Sequence, residues 1–167
     1  IELFPAITTL SLESNQITSA DVSANSELYS FYIEDNQLIS LNVSGNPKLT
    51  NLNIQNNQLT DVDFSGNPEL SWFLADDNNL NSIDLSANPE LYAISLYYNQ
   101  LSELDVSSHT DLRYLGLRGN SIESLNVTNN PILVSLLVDD NNIMSIDISN
   151  NLLLESLGLR GNQISIL

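Results

Sequence analysis

Asparagine returns every 21 residues along this chain, at Asn15, Asn36, Asn57, Asn78, Asn99, Asn120, Asn141 and Asn162, without one exception. So strict a period fixes the architecture: one small unit is copied eight times, in rows starting at residues 7, 28, 49, 70, 91, 112, 133 and 154. No such unit can bury its apolar side alone, so the rows must stack into a solenoid. Whatever is specific about the chain then lies where the copies differ.

The first half of a row reads L-x-x-L-x-L-x-x-N, as in Leu49, Leu52, Ile54, Asn57 or Leu112, Leu115, Leu117, Asn120. The second half repeats the spacing, as in Leu59, Val62, Phe64, Asn67. In both the chain resembles leucine-rich-repeat proteins, and its nested halves resemble the 21-residue bacterial subclass called IRREKO-type. The resemblance runs unbroken from Ile7 to Leu167. It implies an array of eight coils with little or no α-helix, and a module that binds partners outside the cell or at its surface.

The residues support the same fold independently. Apolar residues at row positions 4 and 6, such as Leu10 and Leu12, alternate with polar ones, the period-two pattern of a strand with one buried face. Positions 14 and 16, such as Leu41 and Val43, do the same, so parallel strands are expected on both sides of each coil, and sides of nearly equal length suggest a flat ribbon. Positions 1 and 11 point inward at the corners. The asparagines at positions 9 and 19 sit where the chain leaves each strand, where their amides can bond backbone groups of their own and the next coil. Pro47, Pro68, Pro89 and Pro131 follow the second asparagine, where the turn has no ladder to join.

The length fits one domain, residues 1–167, with no linker. Ile1 to Ala6 match the tail of a further row and the last row stops at position 14, so the expectation is an excerpt of a longer, capped protein. There is no cysteine, hence no thiolate metal site or cysteine nucleophile. No apolar run approaches a membrane span, so this segment is not expected to insert.

Net charge is −17, with Lys48, Arg113, Arg118 and Arg160 the only lysine and arginines, which excludes nucleic acid as a partner. Asp21, Asp63, Asp84, Asp105 and Asp147 share position 15 and stack along the second side, interrupted by Asn42 and Asn126. A solvated face explains them. Calcium is the sharper alternative, since Asp63, Ser65 and Asn67 place oxygens at alternate positions, but a flat face does not converge carboxylates, and no cofactor is expected. Arg118, Asp139 and Arg160 alternate in sign at position 7 and suggest a cross-strand ion-pair ladder of small net worth.

Function is located by the contrast between the two outer faces. Positions 13, 15 and 17 of the second side are almost all short and repetitive, Ser, Asp and Ser. On the first side, positions 2, 3, 5, 7 and 8 change in every coil, and every tyrosine and the single tryptophan lie there: Tyr29, Tyr32, Trp72, Tyr92, Tyr97, Tyr98 and Tyr114. Such residues on a rigid sheet are those most enriched at recognition hot spots. Trp72, Ala93 and Tyr114 should lie side by side, with Leu74, Ser95 and Gly116 beside them, making a notch of roughly 10 Å walled by Tyr97 and Tyr98 and rimmed by Asp76, Asp77 and Arg118. The candidate ligand-binding residues are therefore Trp72, Leu74, Tyr92, Tyr97, Tyr98, Tyr114, Arg118 and Tyr32.

Catalysis finds no support. His109 replaces the asparagine at position 19 and reads as a turn residue, the serines have no base to activate them, and adjacent acids such as Asp76 and Asp77 point in different directions. The expected function is non-catalytic recognition of a protein partner. A glycan in the notch, or a purely structural spacer, are the alternatives.

Overall fold

A computed structural model of the chain describes residues 4–165; Ile1, Glu2 and Leu3 of the partial first row, and Ile166 and Leu167, lie outside that range. The ten strands are β1 (Thr9–Ser11), β2 (Ser19–Asp21), β3 (Ser30–Tyr32), β4 (Ser40–Asn42), β5 (Asn51–Asn53), β6 (Trp72–Leu74), β7 (Ala93–Ser95), β8 (Tyr114–Gly116), β9 (Ser135–Leu137) and β10 (Ser156–Gly158). One strand from each row joins a parallel eight-stranded sheet in the order β1-β3-β5-β6-β7-β8-β9-β10. Register is one row per strand throughout: Trp72 lies opposite Ala93, and Ala93 opposite Tyr114. The sequence columns are therefore physical columns. No helix occurs among the described residues, and so none long and apolar enough to cross a membrane.

Behind this sheet the inward columns form one core. Leu52, Phe73 and Leu136 at position 4, Ile54, Leu96 and Leu117 at position 6, and Leu59, Leu80 and Leu101 at position 11 are fully buried. Each such side chain contributes roughly 2 kcal/mol by leaving water. Phe64 and Phe73 meet edge to face across the core, with ring centroids 4.9 Å apart. Position 14 is split: Ala20, Leu41, Val62 and Ile83 are only partly covered, whereas Leu104, Leu125 and Ile146 are buried.

The second side also departs from the first in its strands. Strands occur on both sides, as the alternation predicts, but on the second side they are regular in the first two coils alone, as β2 and β4. Every coil from the second on makes the backbone bond from position 10 to position 11 of the coil before, as from the Gln58 N–H to the Leu38 carbonyl at 2.9 Å; between the first two coils the Ile39 and Val22 N–H groups add bonds to the Thr18 and Asn42 carbonyls. Part of the cause is steric. A Cβ on Gly45 would collide with the Ser23 carbonyl oxygen, so the second coil lies tightly against the first at that corner. In later coils the larger Ala87, Ser108, Asn129 and Asn150 occupy the same position. Gly66 fits against Ser44 as Gly45 does, yet the third coil lacks the strand, so glycine permits the pairing without enforcing it. The two sides are thus unequal in strand pairing, eight strands against two. Shallow troughs open between coils on the second side, one of about 440 Å³ with Ile83 and Leu104 among its lining.

The two asparagine columns do different work. Asn57 donates from Nδ2 to the carbonyls of Ile54 and Gln55 in its own coil and Ile33 in the preceding one, while its Oδ1 accepts the Leu38 N–H at 2.9 Å. Asn67, at position 19, donates to the Val43 and Asn46 carbonyls of the preceding coil, and its buried Oδ1 has no partner. Both columns therefore reach backward along the array, not forward to the next coil. His109 imitates the second column: fully buried, it sets Nε2 3.2 Å from the Leu85 carbonyl, and because a carbonyl only accepts, Nε2 carries the proton.

Candidate functional site

The notch forms where the columns place it. A concavity of about 340 Å³ lies over β6, β7, β8 and β9, with Trp72 and Leu74 on one flank, Tyr114 on the other, and Ala93, Ser95 and Gly116 between them. Ala93 is small and 7% exposed, and Tyr114 is 48% exposed, so a large ring stands beside a low floor. Tyr92 and Tyr97 complete the wall. Five candidate residues, Trp72, Leu74, Tyr92, Tyr97 and Tyr114, thus share one hollow.

Glycine sets the two further tyrosines. A Cβ on Gly116 would lie 2.6 Å from the Tyr97 ring, and one on Gly119 would lie 2.5 Å from the Tyr98 ring. Both rings therefore rest on bare backbone of the next coil. Tyr98 pays a conformational cost for its place: position 8 adopts the left-handed region in every coil, as at Asp77 with φ 54° and Gly119 with φ 69°, and Tyr98 does so at φ 51°. Glycine, asparagine and aspartate suit that region; a tyrosine does not.

Tyr98 and Arg118 lie beside the notch, outside its lining. The Arg118 guanidinium sits 5.7 Å from the Tyr98 ring centroid, and its Nε is 3.4 Å from Asp140. The expected ladder at position 7 does not form: Arg118 turns to Asp140 at position 8, and Asp139 accepts the Arg160 backbone N–H at 3.0 Å. A carboxylate that can cap a free N–H of the neighbouring strand gains more there than from an exposed ion pair. Tyr32 stands apart, on β3, two strands from Leu74 in the same column. Leu137 and Ser135 of β9 line the notch although the aromatic pattern did not mark them. The signal was present in Gly116, whose missing side chain opens the floor to the next strand.

Asp76 differs from the other acids of this edge. It is 8% exposed, accepts the Ser95 hydroxyl at 2.6 Å and the Tyr97 N–H at 2.8 Å on one oxygen, and takes the Gln55 amide on the other. Burial outweighs these bonds and holds its carboxyl above the ordinary range. Burial also raises the Tyr97 hydroxyl, with the Asp76 charge adding to it.

On the second side, each Asp of position 15 turns its carboxylate onto the residue two further on; Asp84 accepts the Ser86 N–H at 2.9 Å, for instance. These bonds hold Asp21, Asp63, Asp84, Asp105 and Asp147 below the usual carboxylate range. The Asp63–Ser65 spacing makes such a turn, with the Ser65 N–H donating to the Asp63 carboxylate at 2.8 Å; among the described residues no group of three or more His, Asp or Glu side chains converges.

No family model and no curated protein matches this chain. Solved structures do. The functional domain of InlJ from Listeria monocytogenes, described as including a cysteine ladder, is similar with a TM-score of 0.97 and 35% identity over 99% of this chain; the match covers 37% of that chain, just over a third of its length. Internalin C2 of the same organism matches 99% of this chain and 77% of its own, at 24% identity and a TM-score of 0.88. The Arabidopsis receptor kinase HAESA, in complex with the peptide hormone IDA and the co-receptor SERK1, matches 96% of this chain over 31% of its own, at 24% identity and a TM-score of 0.81. The InlJ likeness is of sequence as well as shape, whereas the other two are likenesses of fold. With the unbroken 21-residue repeat and the parallel solenoid it builds, the chain is a bacterial leucine-rich-repeat protein.

Proposed function

We propose that the chain is a non-catalytic recognition module that grips a protein partner with the aromatic face of its first sheet, centred on the notch of Trp72, Tyr92, Tyr97 and Tyr114. The observation that carries this reading is the meeting of four large aromatics around a floor of Ala93, Ser95 and Gly116, on a sheet whose backbone is fully committed to the core behind it. Rigid, half-exposed aromatic side chains bury much area at little cost in conformational entropy. The Arabidopsis neighbour of this fold is in complex with a peptide hormone and a co-receptor, which favours a protein partner over a glycan. Presentation outside the cell or at its surface is part of the same reading and follows from the family resemblance.

The test is affinity capture with the parent chain and a Trp72→Ala, Tyr114→Ala variant side by side, followed by titration of the purified partner. Loss of two such anchors weakens binding by about thirtyfold or more, since a hot-spot side chain is worth ~2 kcal/mol or more. Equal affinity of the two proteins would place the gripping surface elsewhere.

A further inference from the structure

Resting on that reading, we propose that the notch takes an arginine or lysine side chain projecting from a basic segment of the partner. Two features combine. The lining is aromatic and aliphatic, with Trp72, Leu74, Tyr97, Tyr114 and Leu137 around a narrow floor, and suits a long stem of methylene groups. The end of the notch beyond the strand C-termini is acidic, while exposed Arg113 stands beside Tyr114 at the other end. Asp76 is held against Tyr97 by three donors, and exposed Asp77 follows it at the rim. Glu13, Glu34 and Asp35 continue the same two columns over the first two coils. A purely apolar anchor would use the floor and ignore the rim. A cationic side chain uses both, its stem against the rings and its head towards the exposed carboxylate of Asp77, with the field of buried Asp76 behind it.

The chain already contains one example of this chemistry. Arg118 lies over Tyr98 with Asp140 beside it, and that arginine is engaged there, so the charge at the Asp76 and Asp77 end stays uncompensated by it. The net charge of −17 extends the preference outward, because a partner approaching this molecule is steered by its basic surface.

The experiment is a selection from a library of short random peptides displayed on phage, panned in parallel against the parent chain and the Trp72→Ala, Tyr114→Ala variant. The two proteins carry the same net charge, so peptides that merely follow the bulk field are recovered on both. Peptides recovered on the parent alone are expected to share an arginine or lysine. Synthetic versions are then titrated by intrinsic fluorescence, which reports directly on the notch because Trp72 is the only tryptophan. Replacing the shared arginine by citrulline, or lysine by norleucine, is expected to weaken binding about tenfold, the worth of a desolvated cation over an aromatic ring. Asp77→Asn, a change at an exposed side chain, is expected to weaken the cationic peptide and leave the neutral one unchanged. Notch-dependent peptides without a shared cation, or a neutral replacement that binds equally well, would overturn this inference and leave protein recognition standing. Absence of any peptide that prefers the parent would overturn both, and is distinguishable from the first result.

Discussion

At the scale of single residues, the columns assign each side chain a task that substitution can check. Asn57 makes four bonds, two within its own coil and two to the preceding one, so Asn57→Ala strands buried donors and acceptors and is expected to cost about 3 kcal/mol. Asn67 makes two bonds and leaves its Oδ1 unpaired, and the same change there is expected to cost about half as much; urea unfolding of the pair measures the ratio. Equal costs would mean that the two columns are equivalent. Tyr98→Asn puts a residue that accepts the left-handed region where coil three has Asn56. The relief of roughly 1 kcal/mol exceeds the loss of one exposed cation–π contact, about 0.5 kcal/mol. The variant should therefore melt no lower than the parent, and a clear drop would show that the ring is there for packing. Gly116→Ala places a methyl group against the Tyr97 ring and should weaken ligand binding while the melting temperature moves little. At this scale the sequence was most readable where a column is constant. The left-handed position 8 was missed, although Gly119 and Gly161 among Asp, Asn and Ser were its signature; Tyr98 masked it.

At the scale of elements, the first sheet could be read almost completely from the spacing, because a ladder with one-row register turns every sequence column into a spatial one. The second side could not. Its alternation is equally good, yet strand pairing also depends on how closely coils meet at the corner, which Gly45 permits and a hydrophobic pattern does not express. Gly45→Ala is accordingly expected to separate β2 from β4 and speed hydrogen exchange of the Ile39 amide, which bonds the Thr18 carbonyl. An unchanged rate would remove the steric account. The acids of the two sides should respond oppositely to pH. Asp84 and its column are held low by the hydroxyl and N–H of the serine two residues on, so their contribution is present above 3.8 and is lost as pH falls through their folded values. Asp76 is held high by burial, so its contribution is present below 3.8 and is lost as pH rises through its folded value. The melting difference between Asp76→Asn and the parent should therefore shift in favour of the variant as pH is raised from 4 towards neutrality, and a difference independent of pH would show that Asp76 is not perturbed.

At the scale of the whole molecule, regularity and specificity are separated in space. Constant columns face inward and fix the coils; variable ones face outward on the first sheet and carry the aromatics. The notch was legible because Trp72, Ala93 and Tyr114 fall in one column and Gly116 in the next but one. Tyr32 was drawn into the same site by residue type alone, and the register leaves it two strands away. The burial of Asp76 was not legible, since it depends on Gln55, Ser95 and Tyr97 closing over it from neighbouring coils. The most direct test of the division is hydrogen exchange of the chain with and without a captured partner, read coil by coil. Protection is predicted over the first sheet from Trp72 to Leu137, with the Ser and Asp face from Ser82 to Asn126 unchanged; protection confined to that second face would contradict the account.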